Sequence, residues 1–168
     1  MIRKSLLLLS VTILLATAMS ILYATFEKLD ARRLTQQKLK SLPQFALFDL
    51  DSARFYLNSD RKTILIYFNS ECGNCQYELE EIIKNKKSFK DSDIVLISSE
   101  WISTIKSFAE KNCSSDLINI RFTKINGEQV DETFGSSLVP QIFIYGYDGA
   151  LIKQFQGETK IDAILPYL

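Results

Sequence analysis

Apolar residues fall into three kinds of run along this chain, and each kind predicts a different element. The first is a long block near the N-terminus. From Leu6 to Tyr23 only Ser10, Thr12, Thr17 and Ser20 interrupt it. An apolar run of about 18 residues, greasy on every face, suits a helix that crosses a bilayer better than a helix in a core. The second kind is short and nearly continuous. Residues 63–68 (TILIYF) and 93–98 (DIVLIS) read as strands buried on both faces of a sheet. The third kind repeats at helical spacing. Between 74 and 88, Cys75, Leu79, Ile82, Ile83 and the Lys86 stem share a face; between 102 and 111, Ile102, Ile105, Phe108 and Ala109 do.

The remaining segments complete an alternating order. Residues 45–48 and 54–57 are short β-rich pieces around Asp49-Leu50-Asp51-Ser52, and read as a hairpin whose aspartates shape the turn rather than hold a metal. Residues 118–124 predict a strand and 128–134 a short helix. Val139-Pro140 introduces a strand over 141–145, Asp148-Gly149 makes a hairpin turn, and 151–155 returns. Gly157 ends that strand, and 160–167 forms a closing helix. Hairpin, then βαβαβ, then αββα predicts an α/β fold: a mixed central sheet flanked by helices, with an added N-terminal β-hairpin and antiparallel edge strands.

Three regions follow. Residues 1–25 form a membrane anchor or signal peptide. Residues 26–41 form a helical stalk, charged and free of Gly and Pro, which stops ahead of Pro43. Residues 42–168 form one globular domain of ordinary size. In the leader, Arg3 and Lys4 precede the apolar run, and Ala16-Thr17-Ala18 is a candidate cleavage site. Apolar residues persist past that site through Ile21, Leu22 and Tyr23, which favours an anchor that stays. No cysteine follows the run at the spacing a lipid anchor needs. Lys28, Arg32, Arg33, Lys38 and Lys40 behind the run pull a positive-inside count toward a cytoplasmic domain. The short basic tail leading straight into the run reads as an export signal, and the exported orientation is the one expected.

Composition narrows the chemistry. Lys plus Arg is 20 and Asp plus Glu is 20, so no net field draws nucleic acid. There is no histidine. Ser-His-Asp and Cys-His nucleophile systems are therefore excluded within the chain, and Cys/His zinc or imidazole-copper sites lose their nitrogen ligands. The three cysteines are too few for a disulfide-scaffolded mini-domain.

Two of them, Cys72 and Cys75, stand as C-x-x-C after the 63–68 strand and at the start of the 74–88 helix. Only a thiolate attacks a disulfide, and the unpaired N–H groups and positive dipole end of a helix stabilise that anion. Cys72 at the helix mouth is the expected nucleophile. Cys75, one turn further in, is the expected resolving thiol, held protonated longer. Gly73 is expected to free the tight turn and leave room for a substrate chain. The zinc half-site alternative needs two more soft ligands, and only Cys113 is left. Cys113 itself reads as an unpaired structural cysteine.

The segment TILIYFNSECGNCQYELEEI and, further on, VPQIFIYGYDGALIKQFQG resemble membrane-anchored thioredoxin-like proteins of the TlpA/ResA type over residues 42–168. The resemblance implies a thioredoxin-like fold and thiol–disulfide exchange. It implies that Pro140 is cis and faces the cysteine pair, with the Val139 backbone pairing to a bound substrate strand. It implies cysteine-containing envelope proteins as substrates, including apocytochromes, and a membrane or soluble thiol partner to reset the pair. No cofactor beyond the Cys72–Cys75 disulfide and no metal is implied. Departures fall on tuning residues. Glu71 stands where an aromatic residue is usual, and a carboxylate there opposes the helix effect on the thiolate. Ile66 stands where thioredoxin has a buried aspartate. Gly73-Asn74 replaces Gly-Pro. Two other readings compete: a non-catalytic interaction module, against which the intact C-x-x-C argues, and a peroxiredoxin, whose Thr/Ser and proline positions are occupied here by Asn69 and Leu65.

Overall fold

The continuous apolar runs become the centre of a sheet. The computed structural model describes residues 2–58, 60–113 and 119–168. Among them the strands are β1 (Leu47–Phe48), β2 (Arg54–Phe55), β3 (Lys62–Tyr67), β4 (Ser92–Ser98), β5 (Ile120–Lys124), β6 (Gln141–Tyr145) and β7 (Leu151–Gln156). They form one mixed sheet in the order β2-β1-β5-β4-β3-β6-β7. β3, β4 and β5 run parallel; β1 and β2, β1 and β5, β3 and β6, and β6 and β7 pair antiparallel. The expected N-terminal hairpin is β1–β2, and Asp49 Oδ1 closes its turn by accepting the N–H groups of Asp51 (3.0 Å) and Ala53 (2.9 Å).

The helices are α1 (Ile2–Lys38), α2 (Gly73–Lys84), α3 (Ile102–Asn112), α4 (Val130–Phe134) and α5 (Ile161–Ile164). Successive strand residues point to opposite faces. Ile64, Ile66, Ile94, Leu96, Ile142 and Ile144 meet α2, α3 and α5 on one side. Leu65, Tyr67, Val95, Ile97, Phe143 and Tyr145 meet Leu39, Val130 and Phe134 on the other. The connections β3–α2–β4 and β4–α3–β5 step the same way along the sheet, so right-handed crossover puts both helices on one face. The return from β5 to β6 carries α4 back across the opposite face.

Several element ends differ from the sequence reading. The helix expected to reach 88 stops at Lys84, because Asn85 leaves helical geometry and its side chain donates to the Glu81 carbonyl at 2.8 Å. Lys86 starts a 3-10 turn and is exposed, so its stem is not on the buried stripe; Phe89 is buried in its place. The strand expected from 118 begins at Ile120, and Ile118 lies outside the described residues. The closing helix splits into α5 and a 3-10 turn over Leu165–Tyr167 that contains Pro166, which offers no backbone donor.

The apolar run and the stalk form one uninterrupted helix. α1 has no Gly or Pro and runs 37 residues. Its last turn joins the folded domain: Thr35 and Leu39 are buried. The Thr35 hydroxyl donates to the Glu132 carbonyl (3.2 Å), Lys38 pairs with the Glu132 carboxylate (2.7 Å), and the Tyr145 hydroxyl donates to the Leu39 carbonyl (3.1 Å).

Candidate active site

Tyr67 ends β3, and the following polar loop is tied down residue by residue. The Ser70 N–H donates to Glu100 Oε2 at 2.8 Å and the Ser70 hydroxyl to Oε1 at 2.6 Å. The Ser98 hydroxyl, at the end of the neighbouring strand, donates to Oε2 at 2.9 Å. Asn69 Oδ1 accepts the Glu71 N–H (2.9 Å), and the Asn69 carbonyl accepts the Cys72 N–H (3.2 Å). The Gln76 side chain reaches back to the Ser70 carbonyl at 2.7 Å. Glu100 thus pins the loop that delivers Cys72 to the end of β4, a contact between sequence positions 30 apart.

Cys72 is the N-cap of α2. Its backbone is extended (φ −77°, ψ 112°), and its Sγ accepts the Cys75 N–H at 3.3 Å. The sulfur therefore occupies the place where a capping oxygen usually meets the free N–H groups of a first turn. Both sulfurs are thiols here; Cys72 is half-buried and Cys75 is only 4% exposed. Burial pushes the Cys75 thiol far above its ordinary range, and its hydrogen bond with Cys72 pushes the same way. One thiol is reachable at a helix mouth; the other is a buried proton holder.

Gly73 and Asn74 are exposed. Gly73 does not use the left-handed freedom expected of it, and a Cβ there would meet nothing within 4 Å. What it leaves is open surface beside Cys72. Glu71 is exposed, on the solvent side of the loop.

The Val139–Pro140 bond is cis. Gln141 pairs with Tyr67, which puts this bond and the cysteine loop at the same end of the sheet. Pro140 is buried and Val139 half-buried. The Gln141 side chain braces the preceding loop by donating to the carbonyls of Ser136 (2.8 Å) and Leu138 (3.0 Å), and the Pro140 carbonyl accepts the Gly157 N–H (2.9 Å). Two apolar side chains are exposed at this end, Leu138 (64%) and Trp101 (78%). Lys124 Nζ sits 5.0 Å from the Trp101 ring centre.

Sequence reasoning missed Glu78. It lies one turn beyond Cys75 on the same buried stripe and is 2% exposed. Oε1 accepts the Thr159 N–H at 2.7 Å, while Oε2 is buried with no hydrogen-bond partner among the described residues. Burial pushes this carboxyl up to about 7; the Thr159 N–H opposes the shift and Glu158 adds to it. The buried carboxyl near the pair thus stands on α2 and not at Ile66. The legible sign was a glutamate three residues after a cysteine, at a position where the stripe calls for an apolar residue.

Cys113 follows α3 and packs on the same core face as the pair. Burial pushes its thiol up to about 11. A cleft of about 480 Å³ opens on the other side of the molecule, between Lys38–Phe45 and Gln129–Thr133, and contains no cysteine.

No family model matches this chain, and no curated protein matches it in sequence. Solved structures do match. A secreted Mycobacterium tuberculosis disulfide oxidoreductase homologous to E. coli DsbE superposes with a TM-score of 0.62 at 17% identity, covering 78% of this chain and 96% of that one. The exposed lipoprotein thioredoxin Etrx1 of Streptococcus pneumoniae gives 0.58 at 21%, covering 73% and 96%. StoA of Bacillus subtilis gives 0.58 at 16%, covering 76% and 98%. Likeness at such identities is a likeness of fold: the chain has a thioredoxin-like fold, with a C-x-x-C pair at the start of its first sheet-packed helix.

Proposed function

We propose that this chain is a thiol–disulfide oxidoreductase of the cell envelope that reduces disulfides in cysteine-containing envelope proteins. Residues 1–25 anchor it, 26–41 link, and 42–168 carry the chemistry outside the membrane. The observation that carries the reading is the unequal pair: Cys72 capping α2, with Cys75 buried behind it as a thiol. Two structural neighbours, one a secreted protein and one an exposed lipoprotein, support the placement.

The cycle balances over two thiols. The Cys72 thiolate attacks one sulfur of a substrate disulfide; the other sulfur leaves as a thiolate and takes a proton, and a mixed disulfide remains. Cys75 then loses its proton and attacks Cys72 Sγ. The second substrate sulfur leaves reduced, and a Cys72–Cys75 disulfide is left. Glu78, one turn from Cys75 and with its carboxyl at about 7, is suited to take the Cys75 proton at that step. Val139 beside cis-Pro140 offers its backbone to an extended substrate segment. Glu71, Gly73 and Asn74 line the exposed approach to Cys72 and modulate it. A membrane or soluble thiol partner then re-reduces the pair.

Insulin-disulfide reduction tests the reading. Cys72→Ser is expected to abolish it; activity equal to the unaltered chain rejects the enzyme in favour of a binding module. The direction is tested by equilibrating the pair against glutathione. A potential near that of thioredoxin, about −270 mV, is expected; one near DsbA, about −120 mV, makes the chain an oxidant.

A further inference from the structure

The path of α1 across the domain sets which end of it faces the bilayer. At one end of the sheet Gln141 pairs with both Tyr67 and Gln156; at the other Tyr145 pairs with Leu151. The cysteine loop and cis-Pro140 belong to the Gln141 end. Thr35 touches that end too: a Cβ at Gly135, five residues before Pro140, would lie 3.4 Å from Thr35 Cγ2. Five to seven residues later the chain is at the opposite end. The Leu151 N–H donates to the Lys40 carbonyl (2.8 Å), the Leu42 N–H donates to the Gly149 carbonyl (2.7 Å), and Ser41 bridges to Ala150. The chain thus enters the domain at the cysteine end and travels away from it. Followed backward, α1 leaves past the cysteine end, toward its apolar run.

Between Ile2 and Lys38 the helix is continuous and holds no Gly or Pro to break it. Tyr23, the last residue of the apolar run, precedes Thr35 by 12 positions, or about 18 Å of helix. We propose that α1 holds the Cys72–Cys75 end of the domain facing the bilayer at a stand-off of about 18 Å. The surface it presents then fits cysteine pairs of membrane-anchored or membrane-embedded proteins that lie close to the headgroups. This rests on the anchor reading above.

The chain supplies its own probe. Its one tryptophan, Trp101, is exposed at the cysteine end. Tyr147 is exposed just beyond β6, at the far end. Full-length chain in lipid nanodiscs containing dansyl-headgroup lipid is compared with the Trp101→Phe, Tyr147→Trp variant. The two ends are about 15 Å apart along β6, and energy transfer from the native tryptophan is expected to be roughly threefold or more stronger. Equal or weaker transfer overturns the orientation. In the same discs, the reduced chain is given a peptide disulfide carried on a lipid headgroup. Placed six residues from the headgroup, a reach of about 20 Å, it is expected to be reduced within about twofold of the rate seen at twelve residues. Reduction at twelve but not at six overturns the proposal. Failure of the anchor reading shows separately, before either assay: intact mass of the expressed chain would reveal cleavage near residues 16–18, and membrane fractionation would show no retention.

Discussion

Two carboxylates flank the cysteine pair, and their surroundings are opposite. Glu100 is half-buried with both oxygens occupied by Ser70 and Ser98. Glu78 is buried with one oxygen occupied and the other without a partner among the described residues. A carboxylate that accepts several donors braces what donates to it. One that is desolvated with a single donor keeps its proton toward neutral pH and destabilises the fold once it loses it. The first builds the loop that presents Cys72. The second stores a titratable group behind Cys75. The same residue type therefore serves position in one case and is placed for the proposed proton transfer in the other, and only its neighbours decide which.

The largest way to sharpen this contrast is Glu78→Gln. The folded carboxyl titrates at about 7 against an ordinary 4.5, so the folded chain holds a proton that the unfolded chain has released. Stability therefore falls as pH rises from about 4.5 through 7 and carries the full penalty above that. The amide keeps the acceptor for Thr159 and removes the charge. Denaturant unfolding is expected to show Glu78→Gln more stable by about 2–3 kcal/mol at pH 8 and little changed at pH 4.5. The same variant should accumulate mixed disulfide, because the resolving thiol has lost its proton acceptor. A loss of stability at pH 8 would show that Glu78 is a structural anion like Glu100.

Glu100→Ala should go the other way. It strands the Ser70 N–H and two hydroxyls, and is expected to destabilise by about 2 kcal/mol at neutral pH. Exchange of the Ser70 amide with deuterium should quicken, and insulin reduction should slow without loss of the Cys72 thiol. An unchanged amide would mean the loop is held from elsewhere. The smallest effect is expected at Cys113. It lies off the pair and burial holds it as a thiol. Cys113→Ser should leave insulin reduction within about twofold and cost about 1 kcal/mol or less of stability. A large drop in turnover would make it a third redox thiol.

What could be read in advance followed the range of the interaction. β3, β4 and β6 were legible because Ile, Val, Leu and Phe in unbroken runs have no other home than a sheet covered on both sides. The cysteine pair was legible because two thiols three positions apart meet across one helical turn. Asn85 was not, since a helix stop made by one side chain folding back looks like any other polar residue in a charged segment. Glu78 was passed over because hydropathy periodicity assigns a glutamate to solvent, and its burial depends on Thr159, 81 positions away. Glu100 carried no signal because its partners are Ser70, in the loop after β3, and Ser98, at the end of β4, and the adjacency of those two strands is a property of the sheet. Pro140 was placed only through resemblance; the register of β3 with β6 is what sets it beside the cysteine loop.

By itself, the sequence determined the periods, the apolar leader, the C-x-x-C spacing and the absence of histidine, hence the kinds of element and the kind of chemistry. These are local properties, written in side-chain pattern and covalent distance. Tertiary structure alone decided which carboxylate is bare and which is braced, which sulfur is reachable, and from which end α1 enters the domain. Those depend on desolvation and on neighbours brought from far along the chain, and a free energy of burial exists only once the folded surroundings do.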